Sequence, residues 1–250
     1  MKIKFKSIEL FGVSGSGKTF LRNKIKKKLI VKGYKIFDVR EIIILYIGQV
    51  VKLNFYEKIL IFYFSFLLKF NIKTTLWNKA LSKVCDKYLN KEQKKYLFFK
   101  KKMDKIFLKN TEMQFNFHYI WIKELIIANM IFEKLKKFDN KIIFFPDEGF
   151  VQKIFLLNYT KQNKNKTSIK TYFNNKIFCD LIINIKSPKS TIVKVNEIKN
   201  RNKNGWILKK DEINKMIKLE KKIKNTKYFK FEVLKNYKKI KDQINNLIYR

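Results

Sequence analysis

Proline and glycine are scarce, two and seven in 250 residues, which excludes a collagenous, linker-rich or low-complexity disordered chain. With 46% hydrophobic residues the chain is globular, and it is long enough to bury a full core without disulfides or metals. Cysteine is limited to Cys85 and Cys179, with no CxxC spacing, and histidine to His118. That inventory provides neither a disulfide framework nor a metal-ligand cluster. Both thiols read as buried small hydrophobes, and His118, on an apolar stretch near Trp121, reads as a core histidine rather than a catalytic base. The chain fits a reducing cytoplasm, which is the expected location. No cleavable signal is expected, because the first apolar stretch runs straight into a glycine-rich loop. Long apolar runs are also missing. The stretches 42–51, 59–68 and 113–122 are free of charge for ten residues each, well short of the roughly 18–20 that span a bilayer.

Negative charge is sparse too: 58 basic residues face 20 acidic ones, for a formal net charge of +38. Such a balance suggests a nucleic acid or an anionic membrane. Arginine, however, occurs only at positions 22, 40, 201 and 250, while Lys, Ile and Asn number 54, 35 and 24. This bias looks like the drift of an AT-rich genome. A dedicated nucleic-acid surface makes more use of the arginine fork. Nucleic acid is therefore not expected as a specific partner, although weak, salt-sensitive binding to polyanions follows from the charge.

Apolar periodicity gives the organisation. The run Phe5 to Phe11 predicts a strand ending at Gly12, and Phe20 to Val31 a helix, with Gly33 placed to cap it. A second strand follows over Tyr34 to Val39. From Glu41 to Lys137 apolar residues recur at helical spacing, with no glycine after Gly48 and no proline, which predicts several helices. Further strands are predicted at Lys141 to Phe145, ending at Pro146-Asp147-Glu148-Gly149, at Cys179 to Ile185, and at Tyr228 to Leu234, before a last amphipathic helix. Lys161 to Lys166 reads as a surface loop. This alternation predicts an α/β fold: a single domain over 1–250 in three layers, with a mainly parallel five-stranded sheet and helices on both faces. Neither internal repeats nor a linker are found.

The decisive motif is GVSGSGKT, Gly12 to Thr19. It matches GxxxxGK[ST] in full and lies between the predicted first strand and first helix, where this P-loop (Walker A) sequence must sit. Gly12, Gly15 and Gly17, with Ser14 and Ser16, let successive backbone N–H groups turn in and approach phosphate oxygens. The positive end of the helix faces the same anion, Lys18 would bridge the β- and γ-phosphates, and the Thr19 hydroxyl would ligate Mg²⁺. The expected ligands are ATP and Mg²⁺. No NKxD or LSGGQ sequence occurs, so GTPases and transporter ATPases fit poorly.

In these residues and in their order of elements the chain resembles P-loop kinases of the thymidylate kinase-like and deoxynucleoside kinase-like group. The resemblance implies phosphoryl transfer to a small-molecule hydroxyl. It places Asp147 at the family's acidic position after strand three, as a Mg²⁺ ligand through water or as the acceptor of the attacking hydroxyl's proton. Glu148 stands where the family has an arginine, which favours a neutral acceptor such as a nucleoside or sugar over a monophosphate. Arg40 and Glu41 resemble the Arg-Glu that follows the second strand. Arg40 is thus a candidate for acceptor binding, and a surface position or an ion pair with Glu41 fits it equally. The stretch 188–206 resembles a LID that closes over the triphosphate, with Arg201 the first choice to neutralise developing charge and Lys194, Lys199 and Lys203 beside it. In so lysine-rich a chain each of these lysines also fits a solvated helix face. By position alone, Lys235, Asn236 and Tyr237 map to an adenine-contacting loop.

The segment 42–72 within the helical insert, 42–137, is strongly apolar and carries Phe62, Tyr63, Phe64 and Phe66. Such a stripe fits buried helix packing, a dimer interface (as the resemblance implies) or peripheral docking on anionic lipid. A different class thus stays open beside the kinase: a nucleotide-dependent switch or peripheral membrane ATPase that makes no phosphorylated product. Charge alone would suggest nucleic-acid binding or end phosphorylation.

Overall fold

The computed structural model describes residues 5–69, 83–88, 113–158, 179–201, 208–225 and 231–234. Along the chain these form β1 (Ile8–Phe11), α1 (Lys18–Val31), β2 (Lys35–Phe37), α2 (Val39–Val50), α3 (Phe55–Lys69), α4 (Met113–Leu135), β3 (Ile142–Phe144), a 3-10 helix (Gln152–Asn158), β4 (Leu181–Ile185), α5 (Lys189–Arg201), α6 (Lys210–Lys224) and β5 (Phe231–Leu234). Two compact units result, one built from Met1–Ile36, Asp147–Lys161 and Phe178–Arg250, the other from Phe37–Pro146 and Gln162–Ile177.

In the first unit β1, β4 and β5 form a parallel sheet in that order, with Phe11 opposite Asn184 and Ile185 opposite Leu234. Every residue of β1 and β4 is buried, the near-continuous apolar pattern of parallel strands covered on both faces. Asp180 fixes the start of the β1–β4 pairing: its carboxylate accepts from the N–H groups of Lys6 and Ser7 at 2.9 and 3.0 Å, and its own N–H donates to Ser7 Oγ at 2.8 Å. Helix α1 buries Leu21, Ile25 and Leu29 on one stripe. It stops where the Gly33 and Tyr34 N–H groups fold back onto the Ile30 and Leu29 carbonyls, the bonding pattern of a Schellman turn. Helix α6 buries Ile213, Met216, Leu219 and Ile223 at spacings of three and four.

In the second unit α2 packs against α3 and α4. Its start is a reciprocal capping box: Asp38 Oδ1 accepts from Glu41 N–H at 2.9 Å, and the Glu41 carboxylate accepts from Asp38 N–H at 2.7 Å. Asn54 and Glu57 repeat the device at α3. Phe145 N–H donates to the Phe37 carbonyl at 2.8 Å, and Phe132 of α4 stacks obliquely on Phe144 of β3 with centroids 5.5 Å apart.

The α/β class and the parallel strands match expectation, whereas the single five-stranded sheet does not. The described strands form two sheets, β1-β4-β5 and β2-β3. Strands β2 and β3 are three residues each, and Pro146, which has no N–H, lies just past β3, so a longer ladder is denied there. Helix α2 starts at Val39, so Arg40 and Glu41 occupy its first turn rather than the end of a strand. The expected loop at 161–166, the later part of the LID with Lys203, and the last helix with Lys235, Asn236 and Tyr237 lie outside the described residues.

Candidate functional site

The loop between β1 and α1 is shaped by its glycines and by side chains that hold its carbonyls. Gly15 and Gly17 have φ of 88° and 91°, the left-handed region that favours glycine. At Gly12 space decides: a Cβ would come within 2.8 Å of the Ile185 carbonyl oxygen and 2.9 Å of Ser16 Oγ. Asn196 Nδ2, on α5, donates to the Ser14 carbonyl at 3.1 Å, and Ser187 Oγ to the Ser16 carbonyl at 2.9 Å. In a trans peptide the C=O and the following N–H point in opposite directions. Tying these two carbonyls outward therefore turns the Gly15 and Gly17 N–H groups the other way. Helix α1 starts immediately afterwards with no side-chain cap and no acidic residue in its first turn. Its N-terminal amides and positive dipole end are thereby available to an anion.

Lys18 spans the loop, its ammonium donating to the Gly12 and Val13 carbonyls at 2.7 and 3.1 Å. Desolvation pulls its pKa down to about 8; the charge of Glu148 works against that shift and the charge of Lys199 adds to it. Thr19 is exposed at the first turn of α1.

The acidic turn after β3 belongs to the same unit. Asp147, 63% exposed, pairs at 2.5 Å with Arg22, which lies one helical turn beyond Lys18 on α1. Glu148 pairs with the buried Lys153 at 2.5 Å. Behind the turn, Gly12 N–H donates to Gln152 Oε1 at 3.0 Å, and Gln152 N–H donates to Glu9 Oε1 at 2.6 Å. Asn184 Nδ2 reaches the Phe11 carbonyl at 3.3 Å and Glu220 Oε1 at 2.7 Å. At the C-terminal end of β4 a cleft of about 670 Å³ opens, lined by Ile185, Lys186, Pro188, Ile192, Glu220 and Lys224 among others.

The fold therefore brings together Gly12, Ser14, Gly15, Ser16, Gly17, Lys18 and Thr19 with the turn carrying Asp147 and Glu148. Among the LID lysines, Lys199 is near enough for its charge to act on Lys18, whereas Lys194 is exposed. Arg201 is the last residue of α5, and its side chain is not among those described. Arg40 belongs to the second unit, where its guanidinium lies 3.9 Å from the carboxylate of buried Glu124. Glu41 also serves in the capping box that starts α2. His118 falls within α4; its side chain, too, is outside the description.

The residues that sequence reasoning missed are Arg22, Gln152, Lys153, Glu9, Ser187 and Asn196. Arg22 alone left a signal, as one of four arginines and four positions after Lys18. The rest are ordinary residues in sequence and gain their roles from long-range contact.

Comparison with solved structures gives a likeness in fold. The chain is similar to deoxyadenosine kinase from M. mycoides, solved with the products dCMP and a flexible dCDP. The two share 18% identity over 96% of each chain, with a TM-score of 0.46. No protein-family model matches the chain, and no curated protein matches it.

Whether ATP and Mg²⁺ fit these residues can be judged from the donors present. Mg²⁺ keeps most of its water and takes one or two protein oxygens plus phosphate. Thr19 and Asp147 are oxygen donors of that kind, and the described residues contain no group of three or more His, Cys, Asp or Glu able to form an all-protein metal cage. The loop backbone is packed closely from behind, where a Cβ would meet the Ile185 carbonyl at Gly12 and Asn196 Nδ2 at Gly15, and its amides and uncapped helix end suit phosphate oxygens.

Proposed function

We propose that the chain is a P-loop small-molecule kinase, a single kinase-like domain that transfers the γ-phosphoryl group of ATP, with Mg²⁺, to a hydroxyl of a nucleoside, nucleotide or sugar-like metabolite. The observation that carries this reading is the formed phosphate loop, its carbonyls tied back and its helix end uncapped, in one compact unit with the carboxylates of Asp147 and Glu148. In it the Gly15 and Gly17 amides bind phosphate oxygens, and Lys18 exchanges its loop carbonyls for the β- and γ-phosphates. Thr19 and Asp147 would hold the metal, which would supply charge neutralisation on the transferring group. Asp147 acts in that way through water or accepts the proton of the attacking hydroxyl, and Arg201, on the LID, neutralises charge as it develops. Glu148 acts on the acceptor, where its carboxylate disfavours one that already carries phosphate, and Arg40 is a separate candidate for acceptor binding. The free thiols of Cys85 and Cys179 fit a cytoplasmic enzyme.

The test is ATP turnover with Mg²⁺ across pooled nucleosides, nucleoside monophosphates and sugars, with new phosphorylated species read by mass spectrometry. An acceptor-dependent product is expected. Triphosphate binding without product in any pool would instead favour the switch or peripheral membrane ATPase. One feature supports that second reading: α3 exposes Phe55, Tyr56, Ile59, Phe62, Tyr63 and Phe66 along one face, on a chain of net charge +38. An aromatic face with surplus lysine suits anionic lipid. Cosedimentation with phosphatidylserine vesicles checks it, and a concentration-dependent dimer without vesicle binding would assign the face to a second copy of this chain.

A further inference from the structure

Glu9 is an acidic residue inside a buried parallel strand, with no exposed surface, and nothing in the phosphoryl-transfer scheme uses it. A carboxylate in that position is costly unless it does something the fold needs. The amides and the cation that act on it come from the segment that follows β3. Gln152 N–H donates to its Oε1 at 2.6 Å, and the Val151 and Phe150 amides also favour its ionised form. The backbone of Gly149 presses so closely on the Glu9 carboxylate that a Cβ there would collide with it. The side chain of Gln152 then turns back and accepts from Gly12 N–H at 3.0 Å, and Phe155 in the following turn stacks on Phe11 with centroids 5.1 Å apart. Two polar side chains thus join the first glycine of the phosphate loop to the residues immediately after Asp147 and Glu148.

We infer that Glu9 and Gln152 form a positioning couple that sets the Asp147–Gly149 turn against the phosphate loop and governs the rate of phosphoryl transfer without touching the triphosphate. The inference rests on the phosphoryl-transfer reading above. Gly12 N–H is spent on Gln152, so the couple registers the loop from behind and leaves the later amides to the phosphates. Ionised Glu9 grips the turn more tightly than the protonated acid, because charge-assisted N–H bonds are the stronger ones. Burial, opposed by these amides and by the Lys153 charge, brings the group to about pH 7. Besides Lys153, the Cys179 thiol faces it, and the Glu9 charge helps to hold that thiol protonated.

The experiment compares the wild type with Gln152→Ala, Glu9→Ala and the isosteric Glu9→Gln, measuring kcat and KM for ATP from pH 6 to 9 together with triphosphate binding. Gln152→Ala and Glu9→Ala should lower kcat roughly 10- to 100-fold through a misplaced turn, with KM for ATP changed by less than about threefold. Glu9→Gln keeps an acceptor oxygen for Gln152 N–H. It should recover most of kcat while losing the rise in rate through pH 7 that the wild type shows. Unchanged kcat in both alanine variants, or the same inflection in Glu9→Gln, overturns the couple. If Glu9→Ala fails to fold, Gln152→Ala and the Glu9→Gln pH profile still decide. A wild-type chain that turns over no triphosphate overturns the phosphoryl-transfer reading and takes this proposal with it, whereas wild-type turnover with indifferent variants overturns the couple alone.

Discussion

Lys18 is held at a low pKa, about 8, by desolvation in the loop, and the negative charge of a triphosphate would restore its proton. Above about pH 8 nucleotide binding should therefore take up a proton and weaken as pH rises. Calorimetry in buffers of different ionisation enthalpy reads this directly, and Lys18→Ala should abolish both the uptake and the turnover. Asp147→Asn should cut phosphoryl transfer by orders of magnitude while nucleotide binding is largely kept; single-turnover rates beside equilibrium binding would show it. Glu9 makes a separate prediction about stability. Its pKa is raised from 4.5 to about 7 by folding, so its contribution is fully present below pH 4.5 and is lost as pH rises through about 7. Relative to Glu9→Gln, the wild type should lose on the order of 3 kcal/mol across that range in urea unfolding. At this scale the phosphate loop was legible in the sequence because its glycines are demanded by backbone geometry and its lysine and threonine by the chemistry of a phosphate site. Gln152 and Glu9 were not, since a glutamine and a glutamate announce nothing until a contact 143 positions away is formed.

Among the elements, α2 shows how one short stretch can carry a second meaning. Beside the Arg-Glu of the family likeness, Asp38 and Glu41 are the two halves of a capping box, and that spacing has its own physics. Asp38→Ala should destabilise the chain by about 1 kcal/mol without changing the KM for ATP, as thermal melts and steady-state kinetics would report. The termini of β2 and β3 were overestimated for a related reason: apolar runs reveal where chain is buried, while ladder length depends on which N–H groups find partners. α3 presents the opposite case. Its buried Phe64 and Leu67 and its exposed Phe62 and Phe66 are equally apolar in sequence, and only the fold sorts one face from the other.

At the scale of the molecule, the α/β class and the parallel pairing followed from alternation, but the two units did not. Two of their four boundaries fall between Ile36 and Phe37, inside β2, and between Pro146 and Asp147, where no linker composition marks them. The charge of +38 predicts polyanion binding that falls steeply and without sequence preference as salt is raised, and titration with two unrelated duplexes at several salt concentrations checks it. The phosphate loop has a further property in time. Its fixing contacts come from Gln152, Ser187 and Asn196, at separations of 140, 171 and 182 positions. Helix α1 can form early from local contacts, but the loop before it cannot be completed until the chain has been made past Asn196. Contacts of such long range make folding slow, and the loop should take its shape well after the helix it precedes.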